Sequence, residues 1–258
     1  MSAEIKWVSH QGEEFTLWPP RDGVFITADS VNGLVSSFTD GGVNTAGVPG
    51  QVFNPADRVV APMTGGFSVC VEDADVWRAF RRSMSTRMTG HLWVGEFRLP
   101  CRLAAPHVAP AVRPRRGSVF EVAVVADGGV WLARHEHVNI VTVTNWGDVP
   151  VWPEIVWEGA GGEVILPSGA VLTLPSVEGV HYLSLDRRSA GLVRDAAGVV
   201  ERELSARVDV VGESVPVGEE KQFSLPEGAR LAWDVGVFDA WSEVEWNSLS
   251  GVPTLKKL

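Results

Sequence analysis

The chain has 258 residues, 45% of them hydrophobic and 21% charged, which is enough to bury the core of one large domain or two modest ones and excludes a disordered protein. Its formal charge of −10 opposes sequence-independent binding to phosphate backbones, because that depends on clustered Lys and Arg displacing counterions. The excess is uneven: residues 1–144 hold 13 Lys plus Arg against 14 Asp plus Glu, whereas residues 145–258 hold 9 against 18, a shift that suggests two surfaces and two domains.

The opening MSAEIKWVSH lacks the basic and apolar regions of a signal peptide, and no 18-residue apolar run occurs, so a soluble protein without membrane insertion is expected. Short runs rich in Val, Trp, Phe and Thr alternate with Gly, Pro, Asp and Asn, the pattern of sandwiches and barrels. FITADSVNGLVSSF (25–38) contains Asn-Gly, the strongest short hairpin signal. DADVWRAFRRSMSTRM (73–88) is the one helix expected: Val76, Phe80, Met84 and Met88 recur every four residues, Asp73 or Asp75 can cap the start, and Arg78, Arg81 and Arg82 lie off the stripe. Cys70 and Cys101 are 31 residues apart, without the spacing of a zinc knuckle or the density of a disulfide scaffold, and read as buried free thiols.

GHLWVGEFRLPCRLAAPHV (90–108) reads as two strands and SVFEVAVVADGGVWLARHEHVNIVTVT (118–144) as two or three more. Between them RPRRG (113–117) brings Arg113, Arg115 and Arg116 together. That cluster is either a solvated loop or an interface with an acidic surface of a neighbouring protein, and Arg78, Arg81 and Arg82 have the same two readings. His135 and His137 project from one face of a strand, as two metal ligands would, but no third ligand is identifiable and polar residues at a domain junction are the simpler reading.

TNWGDVPVWPEIVWEG (144–159) is a turn between two strands, and Pro150 and Pro153 confine it to a sheet edge or strand start, since Pro cannot donate to a ladder. It forms a rigid lead-in to a second domain. Beyond it, EVILPSGAVLTLP (163–175) is a hairpin turning at Pro167-Ser-Gly, VHYLSLD (180–186) is a strand, and LVRDAAGVV (192–200) turns at Asp195 to Gly198. KQFSLPEGARLAWDVG (221–236) and WSEVEWNSL (241–249) complete a second half without a helix or a fixed-period repeat.

The order of TNWGDVPVWPEIVWEGAGG, EVILPSGAVLTLP, YLSLDRR, DAAGVV and FSLPEGARLAW, preceded by strands, one helix and more strands, resembles the distal tail proteins of long, non-contractile-tailed bacteriophages. The resemblance covers most of the chain. It implies a mainly β protein with an N-terminal ring-forming belt domain (1–136) and a C-terminal galectin-like β-sandwich (137–258), residues 246–258 being free to return to the first domain. It further implies a homo-hexameric virion protein at the tail tip that joins the tail tube to the tail-tip or baseplate machinery. The expected partners are the tail tube, tape-measure and tail-tip hub proteins, with no sequence-specific nucleic acid.

The search for chemistry points the same way. No Gly-rich phosphate loop, G-x-S-x-G elbow or H-E-x-x-H occurs, so no catalytic residue, metal or cofactor is assigned. Asp186, Asp195 and Asp209 read as a solvated acidic face rather than a glycoside-hydrolysing pair. Eleven Trp against one Tyr raise the alternative of a carbohydrate-binding module, because exposed Trp on a β-sandwich can stack on sugar rings. Trp77, Trp93, Trp131, Trp157 and Trp233 lie among aliphatic residues in helix or strand patterns and are expected to pack. Trp18, Trp146 and Trp152 sit beside Gly or Pro and are the candidates for exposed contacts.

Overall fold

The computed structural model describes residues 4–44, 46–47, 49–53, 58–107, 112–189, 191–208, 212–246 and 253–255. The chain divides into unit 1, Met1–Trp131 with Phe238–Leu258, and unit 2, Leu132–Val237. The division thus falls at 131/132 and again at 237/238, where the sequence reading places the boundary at 136/137 and leaves residues 246–258 free to return to the first domain.

Unit 1 opens with the hairpin β1 (Ile5–Val8) and β2 (Glu14–Trp18), followed by β3 (Val24–Ile26) and β4 (Asn32–Gly33). Next come β5 (Phe38–Thr39), β6 (Gly42–Val43), β7 (Val52–Phe53) and β8 (Val59–Val60), in which β5 pairs with β8 and β6 with β7. Then follow β9 (Met63–Val71), α1 (Ala74–Ser83), β10 (Gly90–Val94), β11 (Phe97–Leu103) and β12 (Ser118–Ala126). The order β2-β1-β10-β11-β12-β9 is antiparallel throughout, with β3 and β4 both on β9. Alternation decides which face is buried: in FRLPCRL of β11, Phe97, Leu99, Cys101 and Leu103 enter the core and their neighbours do not.

Asp73 caps α1 by accepting from the Asp75 and Val76 amides at 2.7 and 3.1 Å, which satisfies two of the orphan donors at the helix start. The helix buries Trp77, Phe80 and Ser83 and ends at Met84. Ser83 Oγ accepts from the buried indole of Trp7 at 2.9 Å and donates to the Phe80 carbonyl, so the one polar residue on that face is fully used. The expected stripe is therefore corrected: Val76 is half-buried and Met88, past the helix end, is 52% exposed. Trp77, one residue from Val76, takes the core position because its ring stacks on Phe120 of β12 at 4.6 Å.

Unit 2 holds β13 (Trp131–Val138, from its second residue), β14 (Ile140–Thr144), β15 (Glu154–Gly159), β16 (Gly162–Ile165), β17 (Val171–Leu174), β18 (Val177–Ser184) and β19 (Val193–Asp195). These are followed by α2 (Arg202–Ser205), β20 (Glu220–Ser224) and β21 (Ala229–Val237). One sheet runs β19-β18-β15-β21-β13 and the other β14-β20-β16-β17. Val141, Val143, Ile155, Trp157, Leu172, Leu183, Phe223 and Leu231 from both form a single core, making a β-sandwich. Near the chain end, β22 (Val244–Trp246) pairs with β23 (Pro253–Leu255) in unit 1.

Mainly antiparallel β structure with one long helix is thus the fold, as the residue pattern predicts. Three local expectations are corrected. Asn32-Gly33 does not turn a hairpin. Gly33 (φ 63°) and Leu34 (φ 57°) take the left-handed conformation, yet Asn32-Gly33 itself pairs with β9, as β3 before it does, while β5 after it pairs with β8; a Cβ at Gly33 would sit 2.4 Å from the Thr64 carbonyl, an approach that glycine alone permits. The second half also contains a helical turn, α2, too short to show an apolar period. Finally, Cys101 is buried but Cys70 is only half-buried.

Candidate interaction surface

α1 positions three of the predicted arginines. Arg78, Arg81 and Arg82 of α1, with Arg113, line a groove of about 920 Å³ that also includes Trp77 and His107, the Arg81 guanidinium lying 6.0 Å from the Trp77 ring. Asp75 ties its two walls, receiving Arg78 and Arg113 on different carboxylate oxygens at 3.4 Å each. Among the described residues the lining contains no Asp or Glu, and Arg81 and Arg82 make no ion pair. Burial first, and Arg81 second, hold His107 below the ordinary imidazole range, so it is neutral near pH 7. Its Nε2 and the Trp77 Nε1 are buried without a hydrogen-bond partner among the described residues. Arg115 and Arg116 do not join this groove; Arg116 pairs with Glu72 at 3.3 Å and both side chains are exposed.

Trp18, Trp146 and Trp152 are all half-buried. Trp18 lines a second cavity in unit 1, of about 410 Å³, with Ile5, Ile26, Val31 and Trp241, which sequence separation of more than two hundred residues conceals. Trp146 packs against the sandwich core. Trp77, Trp131, Trp157 and Trp233 are buried and Trp93 is half-buried.

Asn145, which residue patterning does not single out, holds the TNWGDVP turn. It is fully buried, donates from Nδ2 to the Val149 and Val215 carbonyls at 3.0 and 2.9 Å, and accepts from the Gly147 amide at 3.0 Å. Gly147 is required beside it, because a Cβ there would lie 2.4 Å from the Gly236 carbonyl. The prolines and tryptophans of this stretch surround a hydrogen-bonded corner of the sandwich.

His135 and His137 share a face as their spacing predicts, and both rings lie 5.6 Å from Trp233, which they cover. Among the described residues no group of three His, Cys, Asp or Glu could hold a metal ion. Asp186 is held by Arg188 at 2.6 Å, and Asp195 accepts from the Ala197 and Val199 amides of its own turn. Asp209 lies outside the described residues. No described helix is long and apolar enough to cross a membrane.

No protein-family model and no curated protein sequence matches the chain. Solved structures do share its fold. The crystal structure of the SPP1 Dit protein, described as a paradigm of the hub adsorption apparatus in phages infecting Gram-positive bacteria, aligns with a TM-score of 0.53 at 11% identity, covering 90% of this chain and 98% of that one. A chain of the phage p2 baseplate in its activated conformation with Sr aligns with a TM-score of 0.52 at 8% identity, covering 91% and 98%.

Proposed function

We propose that this chain is a structural protein of a bacteriophage tail tip, a distal tail protein that forms a homo-hexameric ring joining the tail tube to the tail-tip or baseplate complex. The observation that carries the reading is the near-complete, two-way coverage of a phage hub protein by the fold, through both units rather than one. At 11% identity such coverage speaks for the architecture, and a tail-tip role is the use of that architecture the neighbours point to. In this reading unit 1 is the ring-forming belt and unit 2 a galectin-like sandwich, with the tail tube, tape-measure and tip hub proteins as neighbours. The role involves no catalysis, cofactor or metal, and the protein, made in the host cytoplasm, ends in the virion.

A protein at the end of a DNA-conducting tail has to close around a channel, which one repeated head-to-tail interface achieves when its rotation closes. Unit 1 is suited to this, because among the described residues edge strands such as β2 pair on one side only and can be satisfied by a neighbouring copy. Around β5 to β8, Val52 and Val59 are 60% and 68% exposed, which suits a surface covered in an assembly. Antibodies raised against unit 2 test the location. Gold label on intact particles is expected at the tail end distal to the capsid, and label on the capsid or along the tube would overturn the assignment.

A further inference from the structure

We propose that the arginine groove beside α1 is a docking site for an extended, carboxylate-bearing segment of a partner protein. Guanidinium groups reach it from two walls, Arg78, Arg81 and Arg82 from the helix and Arg113 from the segment before β12, and among the described residues no carboxylate lines it. Asp75 spans two of the four cations, leaving Arg81 and Arg82 without an ion pair among the described residues. Side chains one helical turn apart sit about 6 Å from each other, close to the roughly 7 Å between alternate residues of a strand. A segment with acidic residues at every second position would therefore meet Arg78 and Arg82 in register, each guanidinium offering a bidentate fork to a carboxylate.

The floor fits such a ligand as well. Trp77 is clamped by Phe80 and Phe120, at 5.8 and 4.6 Å, so the helix wall is rigid and its arginines start from a fixed base. His107 meets the Trp77 edge at 5.9 Å and, being neutral, adds no charge to the floor. The apolar members of the lining, such as Leu103 and Met84, give a peptide backbone and small side chains something to pack on, which a phosphate chain would not use. The rest of the molecule also selects against polyphosphates, since unit 2 alone holds 16 Asp plus Glu against 8 Lys plus Arg.

Fluorescence anisotropy of the full chain decides this, with a short labelled peptide of alternating glutamate and threonine as probe, and a glutamine–threonine peptide and an oligothymidylate as comparators. The glutamate peptide is expected to bind, with Arg81→Glu plus Arg82→Glu weakening it about tenfold or more. Arg202→Glu plus Arg207→Glu, the same charge change on exposed residues of unit 2, should alter it less than about twofold. Should the first pair disturb the helix, Arg81→Gln plus Arg82→Gln keeps helix-forming side chains and is expected to weaken binding about threefold. Equal losses in both charge-reversed proteins, equal binding of the glutamine peptide, or no binding at all would overturn the proposal. Tighter binding of oligothymidylate, lost in the same variants, would overturn it in favour of a phosphate site.

Discussion

Replacing Asn145 by alanine tests whether the tryptophan- and proline-rich corner of unit 2 is held by its one buried amide. The substitution removes three hydrogen bonds of 2.9–3.0 Å. The Val215 carbonyl keeps a second donor, the Val151 amide at 3.0 Å, but the buried Gly147 amide is left without an acceptor. At about 1 kcal/mol net per bond, with a further 1 kcal/mol or so for the orphaned amide, the loss is roughly 3–4 kcal/mol. For a chain of this length that corresponds to a fall in Tm of about 10 °C. Urea unfolding followed by tryptophan fluorescence measures it, with Thr144→Ala, an exposed neighbour, expected to cost less than about 0.5 kcal/mol. Asn145→Asp should not rescue, because it faces the Val149 and Val215 carbonyls with a buried carboxylate. A loss below about 1 kcal/mol would refute the reasoning. The backbone bonds from Asn145 to Glu219 and from Asp148 to Gly236 would then suffice to hold the corner.

Other outcomes follow from the same coordinates. The Val76 and Asp75 amides hold the Asp73 carboxyl below its ordinary range, so its contribution to α1 is present above the unfolded carboxylate value and fades as pH drops below about 4; the Tm gap between the natural chain and Asp73→Ala should therefore narrow with acid, and a gap constant from pH 7 to pH 3 would contradict this. Burial pushes the Cys101 thiol up to about 12, so alkylation at pH 8 should leave Cys101 unmodified until denaturant is added and label at most Cys70, as peptide mass mapping would show. A protein of residues 132–237 is expected to melt cooperatively with a β-type circular dichroism spectrum, an outcome that aggregation or non-cooperative melting would oppose. Bacterial cell-wall glycans are expected to leave tryptophan emission unchanged; saturable quenching abolished by Trp18→Ala or Trp152→Ala would favour sugar binding instead.

Period-2 alternation was enough to read β10 with β11 and β16 with β17, together with their turns, because each pairs with its near neighbour in the chain; β20 and β21 were legible as strands, but their partners, β14 and β16 for one and β15 and β13 for the other, lie far back in the sequence. The Asp73 cap was equally local. Asn32-Gly33 misled for the complementary reason: the signal reports left-handed backbone, which is present, but says nothing of a partner strand more than thirty residues away. The groove combines Arg78, Arg81 and Arg82 with Arg113, and the second cavity combines Trp18 with Trp241; both are products of tertiary packing that no spacing rule encodes. Asn145 was hidden differently. As one polar residue in a turn-rich stretch it resembles any surface asparagine, and only its complete burial reveals its part in the corner.

Cryo-electron microscopy of intact phage particles tests the central claim most directly. The account predicts this chain at the distal end of the tail, six copies closing around the axial channel, with unit 1 forming the ring and unit 2 outside it. Density for the chain elsewhere in the particle, or at the tail end without sixfold symmetry about the channel, would contradict it.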